Sequence, residues 1–448
     1  GADVISHTNM GGDQVTAYQY SNSKTQADGN ASKIWSMCYN VINRANIILT
    51  NVDAAAGDET QKKHIKGQAL AMRGIQYFHL IQNYQQTYAI AKSKRGVILR
   101  TSSDDESHKG FSTVEEVYTQ IVSDLTTAKT LLADYNPDDM WLINSKICSG
   151  ILARVYLVMQ NWDGAYNEAK IVYDQHSQLM TREQYRSGFD DMISGNYAEV
   201  VWAMKYTADN NLGGSTQFNF WYNQDASYGE GYADGPIYSF LDYFVDEQFV
   251  KLFEEKEDRY QFWKRTNNAN TEINTKWAFD KYKHYGEDGG SVIQSATRPE
   301  VCLMRGAEML LIMAEAAAQK GNSGEALNLL NRLQVARNAT PTTNAGGEAL
   351  LEDIYVERRK ELICEGQAGF YDLVRLQKRL VRIGESTTNP AGHYVWGMQY
   401  LNGYNALDPQ PIGTLESNDY RFFCQIPQME ILNNDAISES DQNPWSGQ

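Results

Sequence analysis

One pattern occurs twice in this chain, and it constrains the fold more than any other feature. Ala153, Asn161, Ala165, Ala169 and Val172 recur at a constant offset as Ala314, Asn322, Ala326, Leu330 and Leu333. In each copy small residues lie on a first helix, a polar break follows, and a second helix opens with Ala and carries a larger residue further on. This is the tetratricopeptide plan, in which small residues let two antiparallel backbones approach closely and the hairpins stack. The later copy lies within Arg298–Arg375. There Leu303, Ala307, Leu310, Leu311, Ala314 and Ala318 step by threes and fours, which predicts a packed helix with Arg305, Glu308 and Glu315 off its apolar face. Gly321-Asn322-Ser323-Gly324-Glu325 interrupts it, and the spacing of Asn322 and Glu325 predicts a capping box for the next helix.

Further pairs lie upstream. Ile34, Cys38, Val41, Ala45 and Ile48 predict a helix from about Ala31, partnered by 60–84 through Ile65, Ala69, Met72, Ile75 and Phe78. Ser112-Thr-Val-Glu115 reads as a capping box ahead of Val117, Ile121, Leu125, Ala128 and Leu132. Asn144 starts the helix that carries Ile151, Leu152, Val155 and Tyr156. Elsewhere the periodicity fades: Glu199–Trp202 predicts a short strand, Leu241, Phe244, Val250 and Phe253 a helix, and Phe422–Pro427 a strand stopped by proline. The expected architecture is all-α dominated, one domain over 1–448. Helix pairs at 33–175 and 298–337 form a scaffold, and loop-rich, minor-β segments at 180–297 and 338–420 pack on it.

Several function classes are excluded. A formal net charge of −16 repels phosphate backbones, so nucleic acid is not expected as a partner. No apolar run approaches the roughly 18 residues of a membrane span. The cysteines (Cys38, Cys148, Cys302, Cys364, Cys424) are odd in number and dispersed, which predicts buried small hydrophobes and neither a disulfide framework nor a zinc site. The histidines show no metal-ligand spacing and no nucleotide-binding fingerprint is present, so no metal and no cofactor is expected. Glu357, Glu361 and Glu365 step by four along one helix and invite a catalytic reading. Like charges at that spacing repel, so a structural ion-pair network is expected, with Arg358, Arg359 and Arg375 as counter-ions. Catalysis has no visible home.

What remains is aromatic. Rings accumulate among Gly, Asn and Asp in 180–297, where loops of such length point to function and the aromatic load argues against disorder. A planar ring offers its face to the C–H side of a sugar while neighbouring amides and carboxylates take the hydroxyls. If each ring hides ~50 Å² at ~25 cal/mol/Å², it contributes ~1.3 kcal/mol, and three rings give about millimolar affinity. Weak contacts of this size suit a receptor for a long, repeated ligand. The candidate ligand contacts are Trp221, Tyr222, Tyr228, Tyr232, Trp277, Tyr282 and Tyr285, with Tyr20 and Asn22 from the loop before the first helix.

In their order along the chain, these segments resemble the SusD/RagB family of Bacteroidetes surface lipoproteins. Ala71-Met-Arg73-Gly-Ile-Gln-Tyr-Phe-His-Leu80, Ser112–Leu132 and Asn144–Leu157 are similar to the family's early helices. Arg298-Pro-Glu-Val-Cys-Leu-Met-Arg305-Gly-Ala-Glu308 and Glu357–Arg375 are similar to its highly specific block, and Ile426-Pro427 through Gln442-Asn443-Pro444 resembles its terminus. Tyr84-Gln-Gln-Thr-Tyr88 departs from the family pattern after the first helix pair. The resemblance implies a non-catalytic glycan receptor on the outer-membrane surface. It further implies a SusC-like TonB-dependent transporter as partner and membrane attachment only through an N-terminal lipid anchor. Two other readings compete: a tetratricopeptide-type scaffold for protein–protein contact, and a receptor of the same family for peptide or another non-sugar nutrient.

Overall fold

The computed structural model describes residues 3–6, 18–20, 25, 27, 29–187, 189, 192–206, 243–265, 276–279, 281, 300–366, 368–394, 398–409 and 411–444. Where the sequence reads as one domain, the chain divides into two compact units. A helical unit comprises Tyr20–Gln175, Leu373–Lys378 and Ser417–Gln448, and a mixed unit comprises Gly1–Gln19, His176–Asp372 and Arg379–Glu416.

The helical unit is built from α1 (Gly29–Asn51), α2 (Glu59–Tyr84), α3 (Val114–Leu131), α4 (Ser145–Val158) and α5 (Trp162–Tyr173), each packed on the next. Side-chain caps set where they begin: Asp58 accepts from Gln61 N, Asn144 from Ile147 N and Asn161 from Gly164 N. The capping box of α3 falls one residue later than expected, on Thr113 and Glu116, because the backbone of Ser112 is bonded to Gly96 and Val97. Val117, Ile121, Leu125, Ala128 and Leu132 are buried as their spacing requires.

Gly67 and Gly74 lie a heptad apart on α2 where α3 crosses. A Cβ at Gly67 would stand 2.7 Å from Leu132 Cγ, and one at Gly74 3.1 Å from Leu125 Cγ. The bare backbone is what lets these helices meet. Arg73, buried on the same helix, makes a two-pronged contact with Asp124 of α3 at 2.8 and 2.7 Å. Its third nitrogen donates to Asn46 Oδ1 of α1 at 2.8 Å, so one guanidinium ties three helices.

The expected strand at 422–427 is absent: a 3-10 turn, Tyr420–Phe422, runs into extended chain without a ladder. Side chains take the ladder's place. Asn443 Nδ2 donates to the carbonyls of Tyr84 and Cys424, each at 2.7 Å, and its Oδ1 accepts from Arg95, while Gln442 both donates to and accepts from the backbone of Ile426. Asn443→Ala strands buried carbonyls and the Arg95 guanidinium, and is expected to cost about 3 kcal/mol. Urea unfolding checks this, and a loss below about 1 kcal/mol would remove the clamp role.

The mixed unit holds strands β1 (Val4–Ser6), β2 (Val200–Lys205), β3 (Tyr243–Val245), β4 (Trp263–Arg265), β5 (Trp277–Phe279), β6 (Glu300–Arg305), β7 (Leu380–Ile383) and β8 (Ile412–Leu415). They form an antiparallel sheet in the order β1-β3-β5-β4 and the antiparallel pairs β2-β6 and β7-β8. Its helices include α6 (Glu247–Val250), α7 (Gly306–Gln319), α8 (Ser323–Ala336) and α9 (Gly347–Glu361).

Two expectations are corrected here. The helix expected from Arg298 opens only at Gly306, because Glu300–Arg305 pairs with β2 as a strand. Moreover, Arg305, Glu308 and Glu315 do not lie off a greasy face but are buried, since α7 is enclosed on every side. Where a helix is expected through Leu241, Phe244, Val250 and Phe253, Leu241 lies outside the described residues, and 243–250 form strand β3 and the short α6, which Asp246 caps by accepting from Gln248 N.

The repeat itself is real. Ala153, Ala165, Ala169 and Val172 are fully buried, and so are Ala314, Ala326, Leu330 and Leu333. Both hairpins turn on the same joint: Asn161 N donates to Tyr156 O and Asn322 N to Ala317 O, each at 2.9 Å, across a left-handed residue (Gln160, φ 58°; Gly321, φ 79°). The caps differ. Asn161 accepts from the backbone, whereas Asn322 donates its amide to Glu325 Oε2 at 2.8 Å and makes no backbone cap.

Candidate functional site

The carboxylates that looked catalytic are consumed in the core of the mixed unit. Arg305 reaches Glu199 at 2.7 Å, Glu361 at 2.6 Å and Glu365 at 2.7 Å. Arg337 reaches Glu361 at 2.9 Å and Glu199 at 3.1 Å, and Arg259 reaches Glu361 at 3.0 Å, Glu257 at 2.9 Å and Glu357. Lys360 closes on Glu257 and Lys281 on Glu365. The network is as the spacing predicts, but its arginines come from β6, the C-terminal cap of α8 and the 255–260 turn. Of the expected counter-ions, Arg358 pairs with Asp372 and Arg359 with Asp3. Burial alone would raise the Glu361 carboxyl; Arg337, Arg305 and Arg259 outweigh it and hold it well below the ordinary carboxylate range.

A second buried chain joins Tyr18, His393 and Asp246. The Tyr18 hydroxyl lies 2.5 Å from His393 Nδ1, and His393 Nε2 lies 3.6 Å from Asp246 Oδ2. All three are buried, so nothing reactive is presented. Burial pushes the Asp246 carboxyl up to about 7, with Asp3 and Glu247 adding to the shift. Arg382 donates to the Tyr18 carbonyl at 2.6 Å and lies over its ring, which fixes the N-terminal segment. Among the described residues no cluster of His, Cys, Asp and Glu could hold a metal, and no helix is long and apolar enough to cross a membrane.

Of the candidate ligand contacts, Asn22, Trp221, Tyr222, Tyr228, Tyr232, Tyr282 and Tyr285 lie outside the described residues. Tyr20 is corrected: it is 6% exposed and packs edge-on to Phe422 with centroids 6.0 Å apart, so its ring belongs to the core. Trp277 is half-buried on β5. Its indole N–H donates to Glu247 Oε2 at 3.0 Å, and Tyr260 stands edge-on to it at 6.4 Å. The carboxylate and the ring edge hold the indole plane at a set angle, which is what a stacking platform needs.

The residue before it points the other way, as strand alternation requires. Lys276, buried, donates to the Pro390 carbonyl at 2.8 Å, pairs with Glu385 at 2.9 Å and lies 4.6 Å from the centroid of the Tyr394 ring. Gln248 donates to Asn389 Oδ1 at 3.2 Å, and Glu247 N to Ala391 O at 3.1 Å. Glu247 and Tyr260 are thus set against Trp277, and Glu385, Pro390 and Tyr394 against Lys276, although none was a sequence candidate. The alternation across Lys276-Trp277 was a usable signal for the first pair of directions. The partners from α6 and 385–394 were not readable, since nothing local joins them to β5.

The fold and site define a class: tetratricopeptide-like helix pairs together with short antiparallel strands, with the motif residues Arg305 and Glu361 buried and Trp277 half-buried. Residues 2–157 match the family model described as "Starch-binding associating with outer membrane", and residues 247–445 match that of the SusD family. This chain belongs to the SusD/RagB family. It is 25% identical to SusD-like protein P2 of Formosa agariphila, over 95% of this chain and 84% of that one. The crystal structure of a SusD-like carbohydrate binding protein from Bacteroides vulgatus superposes with a TM-score of 0.79 at 27% identity, covering 100% of this chain and 91% of the other. A SusD superfamily protein from Bacteroides thetaiotaomicron gives 0.77 at 26% identity, covering 99% and 92%.

Proposed function

We propose that this protein captures glycan at the outer face of the outer membrane and delivers it, chemically unaltered, to a SusC-like TonB-dependent transporter. A lipid anchor on the preceding N-terminal segment would hold it at the membrane, and the helix pairs would meet the transporter. The observation that carries the binding step is Trp277, partly open and fixed in plane by Glu247 and Tyr260. The absence of catalysis is supported by the fate of Glu357, Glu361 and Glu365, whose charges are spent on buried cations. Trp221, Tyr222, Tyr228, Tyr232, Tyr282 and Tyr285 are proposed as further ring contacts. The carbohydrate-binding description of the Bacteroides vulgatus relative supports a sugar over a peptide.

Affinity electrophoresis and calorimetry across a polysaccharide panel test this. At ~1.3 kcal/mol per ring, Trp277→Ala and Trp221→Ala are each expected to weaken binding about tenfold, with Tyr20→Phe leaving it unchanged. A blank across the panel, or full binding by both tryptophan variants with their melting temperatures unaltered, would overturn the reading.

A further inference from the structure

We propose that Asp246 positions Trp277 through Glu247, and that uptake of one proton by Asp246 tightens this arrangement, so that glycan is held more firmly in mildly acid than in mildly alkaline medium. The inference deepens the glycan-binding reading above and rests on it.

Three connections make Asp246 the joint behind the indole. Its N–H donates to the Asp3 carbonyl at 3.0 Å, tying the start of α6 to β1. Its Oδ1 caps α6 by accepting from Gln248 N at 2.8 Å. Glu247, the first residue of that helix, gives its N–H to the Ala391 carbonyl at 3.1 Å and accepts the Trp277 indole N–H at 3.0 Å. Because α6 is only four residues long, its start has no length of helix to steady it. A shift of the cap therefore moves the carboxylate that fixes the indole.

The other carboxylate oxygen is poorly served. Asp246 is 4% exposed, and among the described residues its Oδ2 has no hydrogen-bond partner, since His393 Nε2 lies 3.6 Å away. The charged and titratable groups around it, among the described residues, are Asp3 on β1, Glu247 on α6, His393 and Tyr18. The nearby cations turn elsewhere, Arg382 of β7 to the Tyr18 carbonyl and ring and Arg359 of α9 to Asp3. Ionised, Asp246 is a buried charge beside two others of its own sign. Protonated, it sheds that repulsion and has an O–H to offer His393 Nε2, whose ring holds the Tyr18 hydroxyl 2.5 Å from Nδ1.

Burial, Asp3 and Glu247 raise the carboxyl to about 7, and the bonds from the Gln248 and Phe249 backbone oppose this without cancelling it. A group raised in this way stabilises the assembled platform while protonated, and that contribution is lost as pH rises through the raised value. When Glu247 leaves Trp277, Asp246 meets water and returns toward the ordinary carboxylate range. A glycan that selects the assembled platform therefore takes up a proton with it.

The first test needs no ligand. Fluorescence of the protein minus that of Trp277→Phe isolates the Trp277 signal, followed from about pH 5.5 to about pH 8.5. The expected result is one transition with a midpoint near 7, absent from Asp246→Asn, whose amide has the shape of the neutral acid and still caps a helix. A flat difference signal, or the same transition in Asp246→Asn, overturns the inference. The second test is calorimetry with starch, xylan, mannan and galactan. For the tightest of these, Kd is expected to rise about three- to tenfold between about pH 6 and about pH 8, tenfold being the most that one proton supplies there, with Asp246→Asn keeping the lower value throughout. A Kd that does not rise overturns the inference and leaves glycan binding intact. Binding of none of the four at either pH defeats the glycan reading and the pH-dependent binding with it, and the difference signal then decides the positioning role alone.

Discussion

Glu361→Gln is expected to lower the stability of the mixed unit by about 3–5 kcal/mol, because breaking a buried ion pair by removing one partner leaves charge without compensation. The substitution keeps the side chain's size and removes only its charge. Arg259, Arg305 and Arg337, each at most 1% exposed, then crowd one another with one anion fewer between them. Thermal melting should show a fall of about 10 °C or more for a loss of this size. Glu59→Gln is the control: Glu59 pairs with Lys62 from a side chain that is 84% exposed, and its change is expected within about 0.5 kcal/mol. The pH dependence has a definite sign. The Glu361 carboxyl is held below its ordinary value, so its stabilisation is present above the usual carboxylate pKa of about 4.3 and is lost as pH falls toward the folded-state value. Stability of the parent protein should therefore drop below about pH 4.5, and Glu361→Gln should flatten that slope. A loss under about 1 kcal/mol would mean that the cluster is held by packing and not by charge.

Gly306→Ala is the second large effect. Gly306 opens α7 directly after Arg305, and its N–H donates to Glu199 O at 2.7 Å. A Cβ there would meet the backbone oxygen of His176 at 2.0 Å, and a backbone atom cannot swing aside as a side chain can. Either the β2-β6 pair or the 176 turn must move, which displaces Glu199 and Arg305 together. A loss of about 3 kcal/mol or more is expected by urea unfolding, against about 1 kcal/mol or less for Gly324→Ala, where an added Cβ meets nothing within 4 Å. Because Gly306 and Glu361 act on one cluster, the double substitution should cost less than the two single losses added together.

The helices were legible because burial leaves a periodic mark: Val117 through Leu132 and the Ala153/Ala314 repeat could be placed by spacing alone. Glu300–Arg305 was misread because Leu303 also fits the helical step of α7, and only its partner strand β2, about a hundred residues away, decides for a strand. The carboxylate ladder announced an ion network, but not which cations fill it, since Arg259, Arg305 and Arg337 arrive from three separate elements. The site was the least legible part. Tyr20 sits among polar residues and yet is core, because Phe422 from the far end of the chain covers it. Trp277 could be singled out as a ring among polar residues, but the groups that orient it come from α6 and from Tyr260.

The clamp at Asn443 also bears on how the chain matures. Tyr84 and Asn443 are 359 positions apart, and in the mixed unit β1 waits for β3. A nascent polypeptide emerging N-terminus first therefore carries α2 with its final carbonyl uncapped until the segment around Asn443 has been made. Incompletely closed chains are the natural consequence, with the 424–443 segment acting as the fastener that locks the helical unit once it arrives.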